Sequence, residues 1–379
     1  MKVVVAMDSF KGSLTSLEAG CAAKEGICRA IQDAEVCVMP LADGGEGTVE
    51  ALTLGRGRKE IVTVTGPLGA PVECSYGILE SECAVIEISS AAGLTLIPQE
   101  ARNPLDATTY GVGEVIKDAI NKGCRSFIVG LGGSATNDGG IGMLQALGFG
   151  MLDKDGKQVK MGAKGLKELR AITNENALPQ LKECTFRIAC DVNNPLCGER
   201  GASAVFGPQK GANGDAVRDM DAWLQSYANL AAEQYVGADP TKAGAGAAGG
   251  LGFAFMAFLN ATMESGVKLV IEETGLEEKV KDAEIVVTGE GRLDGQSVMG
   301  KAPVGVAQLA KKYQKPVLAF CGSAAEDADL CLSAGIDAYF PIVQEVVDLK
   351  TAMKPTVAKR NLTAAAEQVF RLIKQIRGN

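Results

Sequence analysis

The chain has 379 residues, of which 46% are hydrophobic and 22% charged, and its net charge at pH 7 is −8. An acidic chain without runs of Lys or Arg lacks the cationic surface that binds nucleic acid or an anionic membrane, so both classes of partner are excluded. The length exceeds what one hydrophobic core usually fills, which predicts two domains with a cleft between them.

Histidine is absent from the sequence. This excludes Ser-His-Asp and Cys-His nucleophile pairs and zinc sites with histidine ligands, so acid–base chemistry must fall to a carboxylate, Lys, Tyr or Cys. The eleven cysteines are odd in number and form no C-x-x-C pair, which predicts small, reduced core residues and a cytoplasmic location. The apolar run Val3–Met7 is too short for a signal peptide and predicts a strand.

This first strand is followed by a polar loop that carries Asp8, Ser9 and Lys11. The helix that comes next begins with Thr15 and Glu18 at the spacing of a capping box. Open α/β sheets bind ligands at the carboxyl ends of their strands. The loop is therefore predicted to bind substrate, with an exposed turn as the alternative.

A second strand, predicted at Glu35–Met39, leads into a loop with Asp43 and Glu46 on either side of two glycines. Two carboxylates on a flexible loop suit Mg²⁺, which takes one or two carboxylates and keeps several waters. We predict Asp43 and Glu46 as magnesium ligands. The alternative is that Asp43 or Thr48 only caps the short helix that follows.

The pattern of elements changes in the middle of the chain. Short strands separated by turns predict antiparallel pairing at 61–65, 72–79 and 84–88, whereas strand–helix alternation occurs at both ends. The two ends are therefore predicted to form one parallel-sheet domain. The expected α/β fold has two domains: a Rossmann-like domain at 1–65 and 284–379, split by an inserted mixed α/β domain at 66–283.

In this middle region, a buried apolar strand precedes a glycine-rich loop and a helix. Gly132 and Gly133 let backbone N–H groups approach a ligand closely. Ser134 and Thr136 add hydroxyl donors, and Asp138 can cap the helix, whose positive end would face the loop. This order predicts a phosphate-binding loop, with a tight strand-to-helix turn as the alternative.

A later strand ends in Asp191, which is followed by Asn193 and Asn194. A carboxylate held at a strand end beside two amides can accept a proton or hold a metal, and an Asx turn is the alternative. We predict Asp191 as the general base, because its backbone is held rigidly by the preceding strand. Asn193 and Asn194 are predicted to orient the base or the substrate.

Two glycine-rich stretches resemble nucleotide motifs without their required context. Gly244–Gly249 fits G-x-G-x-x-G, but no predicted strand precedes it. A strand is predicted at 283–288, with a glycine-rich loop from Gly289 onward. Gly295–Lys301 in that loop resembles a P-loop, but it is followed by alanine and lies too far beyond the strand. The uncharged stretch 243–263 is only weakly hydrophobic and has one apolar helical face. It predicts a buried core helix rather than a membrane span.

Seven unusual motifs follow one another at residues 8–13, 40–48, 130–140, 189–196, 206–211, 246–252 and 288–294. In this order they resemble the bacterial type I glycerate kinases, and the match runs from residue 1 to nearly the end of the chain. The resemblance implies ATP-dependent phosphorylation of D-glycerate, commonly at the 2-hydroxyl, with Mg²⁺. It also implies a Rossmann-like domain split by an insertion.

Further site residues are predicted from the charges that phosphoryl transfer requires and not from the resemblance itself. Lys11 and Arg292 are expected to pair with the glycerate carboxylate and the transferring phosphoryl group, since the guanidinium fork fits a carboxylate. Lys210 is expected to bind ATP together with the glycine-rich loop. Asp294 and Asp8 are the alternatives for the base.

Two other functions are compatible with the residues alone. One is a non-catalytic two-domain protein that binds a small acid, and the other is a nicotinamide-dependent dehydrogenase. The sequence leaves open whether O2 or O3 of glycerate is phosphorylated. A homo-oligomer is compatible with it.

Overall fold

The computed structural model describes residues 1–378, except the side chain of Met299. It is a mixed α/β structure, as predicted. Its strands are β1 (Lys2–Val5), β2 (Glu35–Val38), β3 (Gly57–Thr65), β4 (Pro71–Leu79), β5 (Cys83–Glu87), β6 (Ser126–Gly130), β7 (Gly150–Leu152), β8 (Ala171–Thr173), β9 (Thr185–Ala189), β10 (Thr262–Glu264), β11 (Ile285–Leu293), β12 (Val317–Ala324) and β13 (Ala338–Pro341).

The helices alternate with these strands along much of the chain. They are α1 (Ser16–Ala30), α2 (Thr48–Thr53), α3 (Ser89–Ala92), α4 (Tyr110–Asn121), α5 (Ile141–Ala146), α6 (Ala163–Glu168), α7 (Ala202–Phe206), α8 (Gly214–Ala232), α9 (Ala247–Phe258), α10 (Gly266–Thr274), α11 (Leu276–Asp282), α12 (Ala302–Lys312), α13 (Leu330–Ser333), α14 (Leu349–Ala352) and α15 (Pro355–Arg377). Short 3₁₀ turns lie at Leu94–Leu96, Gln99–Ala101, Pro179–Glu183, Pro208–Lys210 and Ser297–Met299.

The chain forms two compact units, named here the terminal unit and the inserted unit. The terminal unit comprises Met1–Asp43, Glu50–Leu52 and the chain from Val267 onward, and the inserted unit comprises Gly44–Val49 and Thr53–Gly266. Three ranges thus cluster with the unit opposite to the one that the predicted boundaries gave them: 44–49, 53–65 and 267–283. Strand pairing explains the placement of residues 53–65, because β3 is hydrogen-bonded along its whole length to β4.

The terminal unit is built on a sheet with strand order β13-β12-β11-β1-β2. All of its neighbouring strands are parallel, as predicted for the Rossmann-like domain. Val5, Val287 and Phe320 are fully buried in the core of this unit. Helices α1 and α15 pack so closely at Gly26 that a Cβ on this residue would lie 2.2 Å from the backbone oxygen of Thr363.

The start of α1 confirms one local prediction in detail. The Thr15 hydroxyl accepts a hydrogen bond from the Glu18 amide at 3.2 Å, and the Glu18 carboxylate accepts one from the Thr15 amide at 2.9 Å. This reciprocal pairing satisfies two amide donors that a helix start leaves unpaired. The helix start is therefore encoded locally.

Strand β11 is longer than the predicted strand at 283–288. It runs to Leu293, and its far end pairs with β12 at Arg292 and Ser323. The glycines that suggested a loop allow close strand contact instead, since a Cβ on Gly289 would lie 2.1 Å from the Phe320 oxygen. The prediction of a loop from residue 289 was therefore wrong.

The inserted unit contains a sheet with strand order β10-β9-β6-β5-β4-β3. The pairs β3–β4 and β4–β5 are antiparallel, as predicted, and β5, β6, β9 and β10 are parallel. Phe127 and Phe186 stack on this sheet with ring centroids 4.7 Å apart, and Phe255 lies beside them in the core. Helix α9 is almost wholly buried, which confirms the predicted core helix. Among the helices of residues 1–378, none combines the length and the hydropathy that crossing a membrane requires.

Candidate functional site

The terminal unit has a topological switch point between β1 and β11. From β1 the chain continues to β2 on one side, whereas the remaining strands follow on the other side of β1. In parallel sheets with this strand order, ligands bind outside the carboxyl ends of the strands at such a point. The Asp8–Ser13 loop follows β1, and Glu290 and Arg292 lie in the last part of β11, so both segments belong to this edge.

A cavity of about 450 Å³ lies at this edge of the terminal unit. It falls within the range of volumes that small-molecule sites usually have. Negative and positive side chains meet in its lining. The charged lining residues are Asp8, Lys11, Glu290, Arg292, Asp294 and Lys301.

Asp8 is the most buried of these charged residues. It is only 3% exposed, and its Oδ1 accepts a hydrogen bond from the Ser9 amide at 2.7 Å. Burial raises the pKa of Asp8 to about 7, and the negative charges of Asp43 and Glu290 add to the rise against the opposing effects of the Ser9 amide and Lys11. A carboxyl group that titrates near neutral pH is suited to exchange a proton with a substrate.

Lys11 and Asp43 form an ion pair at the rim of this cavity. The Lys11 Nζ lies 3.2 Å from Asp43 Oδ2, and the lysine side chain is 64% exposed. Burial lowers the pKa of Lys11, but Asp43 and Asp8 outweigh that effect and leave the pKa raised. Lys11 therefore remains charged and accessible to an anion.

Arg292 and Lys301 approach the same carboxylate from different segments. Arg292 Nε lies 3.8 Å and Lys301 Nζ 3.6 Å from the carboxylate oxygens of Asp294. The buried Glu290 accepts a hydrogen bond from the Ser297 hydroxyl at 2.5 Å, and burial raises its pKa. Lys11, Arg292 and Lys301 thus line the same cavity as a group of carboxylates. The three cations can bind phosphate or carboxylate groups, and the acidic side chains can bind a cation.

The glycine-rich loop lies in the inserted unit, after β6. Gly133 has φ +72°, and a Cβ on Gly132 would lie 2.7 Å from the Cα of Gly45. Close packing and a left-handed turn therefore account for part of the glycine pattern. Within residues 1–378, the amide N–H groups of Gly132 and Gly133 have no acceptor, so they can donate to a ligand.

Lys210 is tied to this loop through its own amine. It is 2% exposed, and its Nζ donates to Ser134 Oγ at 2.9 Å and to the Thr136 backbone oxygen at 2.6 Å. Burial lowers the pKa of Lys210 to about 7, although Asp138 opposes the shift. Lys210 therefore holds the predicted phosphate loop in place.

Asp138 Oδ2 accepts a hydrogen bond from the Gly142 amide at 3.4 Å in the first turn of α5, so the predicted capping contact is present although Gly140 is the N-cap residue. Helix α5 begins after Gly140, and Asp138 lies before that glycine in a fully buried position. Its carboxylate accepts hydrogen bonds from the Thr109 amide at 2.8 Å, the Thr109 hydroxyl at 2.9 Å and the Gly140 amide at 3.1 Å. It connects the loop to the start of α4. Since α5 has six residues, its dipole contributes little to anion binding.

The predicted base and its neighbouring asparagines lie after β9 in the inserted unit. Asp191 is exposed, and its Oδ1 accepts a hydrogen bond from the Gly266 amide at 3.1 Å. Asn194 donates to the backbone oxygen of Arg200 at 2.8 Å, whereas Asn193 is exposed. Asp191 and Asn194 thus stabilise local backbone, and Asn193 remains accessible to a ligand.

The predicted magnesium ligands lie on either side of a unit boundary, since Asp43 belongs to the terminal unit and Glu46 to the inserted unit. In the described part of the chain, no group of three or more acidic or cysteine side chains has the arrangement of a metal site. The negative charges of Asp43 and Glu290 nevertheless raise the pKa of Asp8. A cation would relieve that repulsion.

Sequence reasoning did not identify Lys301 or the apolar wall of the cavity as parts of the site. The wall comes from segments around Val343, Leu349 and Met353. These residues follow no motif, and only the tertiary fold places them beside Lys11. The Gly244–Gly249 stretch has no strand directly before it, which confirms that it lacks the context of a dinucleotide site.

Comparisons with known proteins agree with the resemblance of the seven motifs. The model of the glycerate kinase family matches residues 3–374. A glycerate kinase of Haemophilus influenzae is 46% identical over 375 residues, with 98% of this chain and 99% of the relative covered. A glycerate 2-kinase of Escherichia coli K12 is 44% identical over 371 residues, with 96% and 97% covered.

A solved structure extends this similarity to the fold. The crystal structure of a Salmonella typhimurium LT2 protein assigned as glycerate kinase 2 matches with a TM-score of 0.90 and 42% identity. The match covers 100% of this chain and 100% of the Salmonella protein's chain. The sequence and the fold lead to one conclusion: the chain belongs to the glycerate kinase family, which makes it an enzyme that phosphorylates glycerate.

Proposed function

We propose that this enzyme transfers the γ-phosphoryl group of ATP to the 2-hydroxyl of D-glycerate with the help of Mg²⁺. The observation that carries the proposal is the terminal cavity, where three cationic side chains and a buried carboxyl group with a pKa of about 7 meet at the switch point of a parallel sheet. Phosphoryl transfer requires positioning, charge neutralisation and one acceptor for the hydroxyl proton. The cavity offers all three.

Lys11 and Arg292 are proposed to bind the anionic groups. Both are more than half exposed, and both have carboxylate partners more than 3 Å away, so a phosphate or a substrate carboxylate can displace those partners. The planar guanidinium of Arg292 can bind the glycerate carboxylate through two parallel hydrogen bonds. Lys11 then serves as a point charge for the transferring phosphoryl group.

Asp8 is proposed as the general base in place of Asp191. A base works best when its pKa lies near the working pH, and burial gives Asp8 that property. Asp191 is exposed, and its carboxylate accepts a hydrogen bond from a backbone amide. Replacement of Asp8 by Asn is expected to lower kcat by about 10²–10⁴-fold, whereas Asp191→Asn lowers it less than about tenfold. The reverse ranking would return the role to Asp191.

Mg²⁺ is proposed to bind through waters and through the predicted ligands Asp43 and Glu46. The donor set fits, because hard carboxylate oxygens are what this ion prefers. When bound, the ion would neutralise charge on the phosphates. Within the terminal unit, Asp43 and Glu290 raise the pKa of Asp8, and this concentration of negative charge supports a site for a cation.

The loop with Gly132, Gly133, Ser134 and Thr136 is proposed as a second anion site that takes part in binding ATP. Two observations support this proposal. The amides of Gly132 and Gly133 have no acceptor in the described chain, and Lys210 holds the loop in place through Ser134. Lys210 is proposed to act through the loop. A cytoplasmic location is proposed from the eleven cysteines, all of which are free.

An assay of ADP release tests the proposed function. ADP should form only when D-glycerate, ATP and Mg²⁺ are all present, and EDTA should stop the reaction. ADP formation that is independent of glycerate would contradict the proposal. A sensor without turnover would bind glycerate and release no ADP at all.

A further inference from the structure

The terminal cavity has two chemically different ends. One end carries the charged side chains described above. The other end is apolar and is formed by the segment after β13, which contributes Ile342, Val343, Leu349, Ala352 and Met353. Strands β12 and β11 lie between β13 and β1 in the sheet, so this segment starts away from the Asp8–Ser13 loop. A ligand that fills the whole cavity must itself have an anionic part and an apolar part.

The size of the cavity also exceeds the need of the acceptor. A volume of about 450 Å³ is suited to a ligand of nucleotide size and is far more than a three-carbon acid occupies. Glycerate has no apolar group that would gain from contact with Leu349 or Met353. The apolar end therefore requires another ligand of the same reaction.

Two of the side chains at this end are unusually exposed for their type. Leu349 is 75% exposed and Val343 44% exposed. Both line a concave surface rather than a convex one. Apolar side chains in a concavity next to a charged cluster are the usual composition of a site for a ligand with a flat apolar ring.

Asn361 adds a polar group to the same cavity. It is 4% exposed and lines the cavity from α15. Its Oδ1 accepts hydrogen bonds from the Arg360 guanidinium at 3.4 Å, so its NH₂ group is the part that can donate to an acceptor on the edge of a purine. The cavity thus offers apolar contact for the faces of a base and an amide that can serve its edge.

We infer that the terminal cavity binds the donor nucleotide, with the purine and ribose at the apolar end and the phosphates toward Lys11 and Lys301. The inference rests on the proposed function, in which ATP is the donor. It adds the location of the nucleoside and the residues that contact it. The anion site of the glycine-rich loop is independent of this placement.

The test fills the apolar end without altering the charged end. Ala352→Phe, on α14, places a ring in the cavity. Lys350→Phe adds the same ring to an exposed position of the same helix outside the lining and is the matched control. The probes are ADP and inorganic tripolyphosphate, each titrated into the whole protein by calorimetry. Leu349→Ala, at an exposed position that the fold tolerates, provides a second variant.

Ala352→Phe is expected to weaken ADP binding by at least about tenfold and to leave tripolyphosphate binding within about twofold of wild type. Leu349→Ala should also weaken ADP binding, and Lys350→Phe should leave the binding of both ADP and tripolyphosphate unchanged. Unchanged ADP affinity in both cavity variants would overturn the inference. An increase in the KM for glycerate in the two cavity variants, with unchanged ADP binding, would also overturn the inference and would assign the apolar end of the cavity to the acid.

The wild-type assay separates this inference from the proposed function. If wild type forms no ADP with glycerate, the proposed function fails whatever the titrations show. If wild type turns over and the cavity variants bind ADP normally, only the placement of the nucleotide fails.

Discussion

Replacement of Asp8 by Asn should stabilise the protein at neutral and alkaline pH while it lowers activity. Asn keeps an oxygen that can accept the Ser9 amide hydrogen bond, so the substitution removes the charge with little change in shape. The buried charge is the unfavourable element, because burial and two nearby carboxylates raise the pKa of Asp8. Active sites commonly retain such a cost in stability.

The size of the effect follows from the pKa. The pKa of Asp8 rises from 3.8 to about 7, and a pKa difference of one between the folded and unfolded states corresponds to about 1.4 kcal/mol. The folded state therefore loses about 4 kcal/mol when Asp8 ionises. Between pH 4 and 7 the folded state holds a proton that the unfolded state has released, so the free energy of unfolding of wild type falls as pH rises through this window.

The assay is the thermal midpoint of wild type and Asp8→Asn from pH 4 to pH 8, without nucleotide or Mg²⁺. The two proteins should be similar at pH 4, and the variant should gain stability steadily up to pH 7. Asp33→Asn removes an exposed aspartate of the same unit and serves as the control for the loss of one carboxylate. A difference between wild type and Asp8→Asn that stays constant with pH would refute the reasoning.

Three further predictions concern other parts of the molecule. Folding lowers the pKa of Lys210 from 10.5 to about 7, so between these pH values the unfolded state holds a proton that the folded state has released. The free energy of unfolding of wild type should therefore rise as the pH increases from 7 to 10.5. Lys210→Met should lack that rise when thermal midpoints are measured across the same range. Gly26→Ala places a Cβ 2.2 Å from the Thr363 backbone oxygen, so urea unfolding should show a free energy of unfolding lower by about 1–3 kcal/mol. An unchanged free energy of unfolding would contradict the close packing of α1 and α15. Arg292→Lys should raise the KM for glycerate about tenfold or more because the bidentate fork is lost, and an unchanged KM would remove Arg292 from the acid site.

Local signals in the sequence predicted local structure well. The capping box of Thr15 and Glu18 forms as expected, because its hydrogen bonds join residues three apart and need no tertiary partner. The parallel terminal sheet also follows from strand–helix alternation. The Asp8 and Lys11 segment lies at the predicted edge of that sheet for the same reason.

Glycine patterns were a less reliable guide, because a glycine can serve close packing as well as a ligand. Gly132 packs against Gly45, and Gly289 lies against the backbone of β12. The extension of β11 to Leu293 depends on pairing with a strand far along the chain. The apolar wall with Leu349 depends on the tertiary fold in the same way, which is why no sequence motif indicated it.

The measurement that tests the central claim most directly is phosphorus NMR of the product formed from D-glycerate and Mg-ATP. The account predicts a new phosphomonoester signal that appears together with ADP and is split by the single proton on C2. A signal split by two protons would place the phosphate on O3 and contradict the proposed position. The absence of any glycerate-dependent phosphomonoester would contradict the phosphoryl transfer itself.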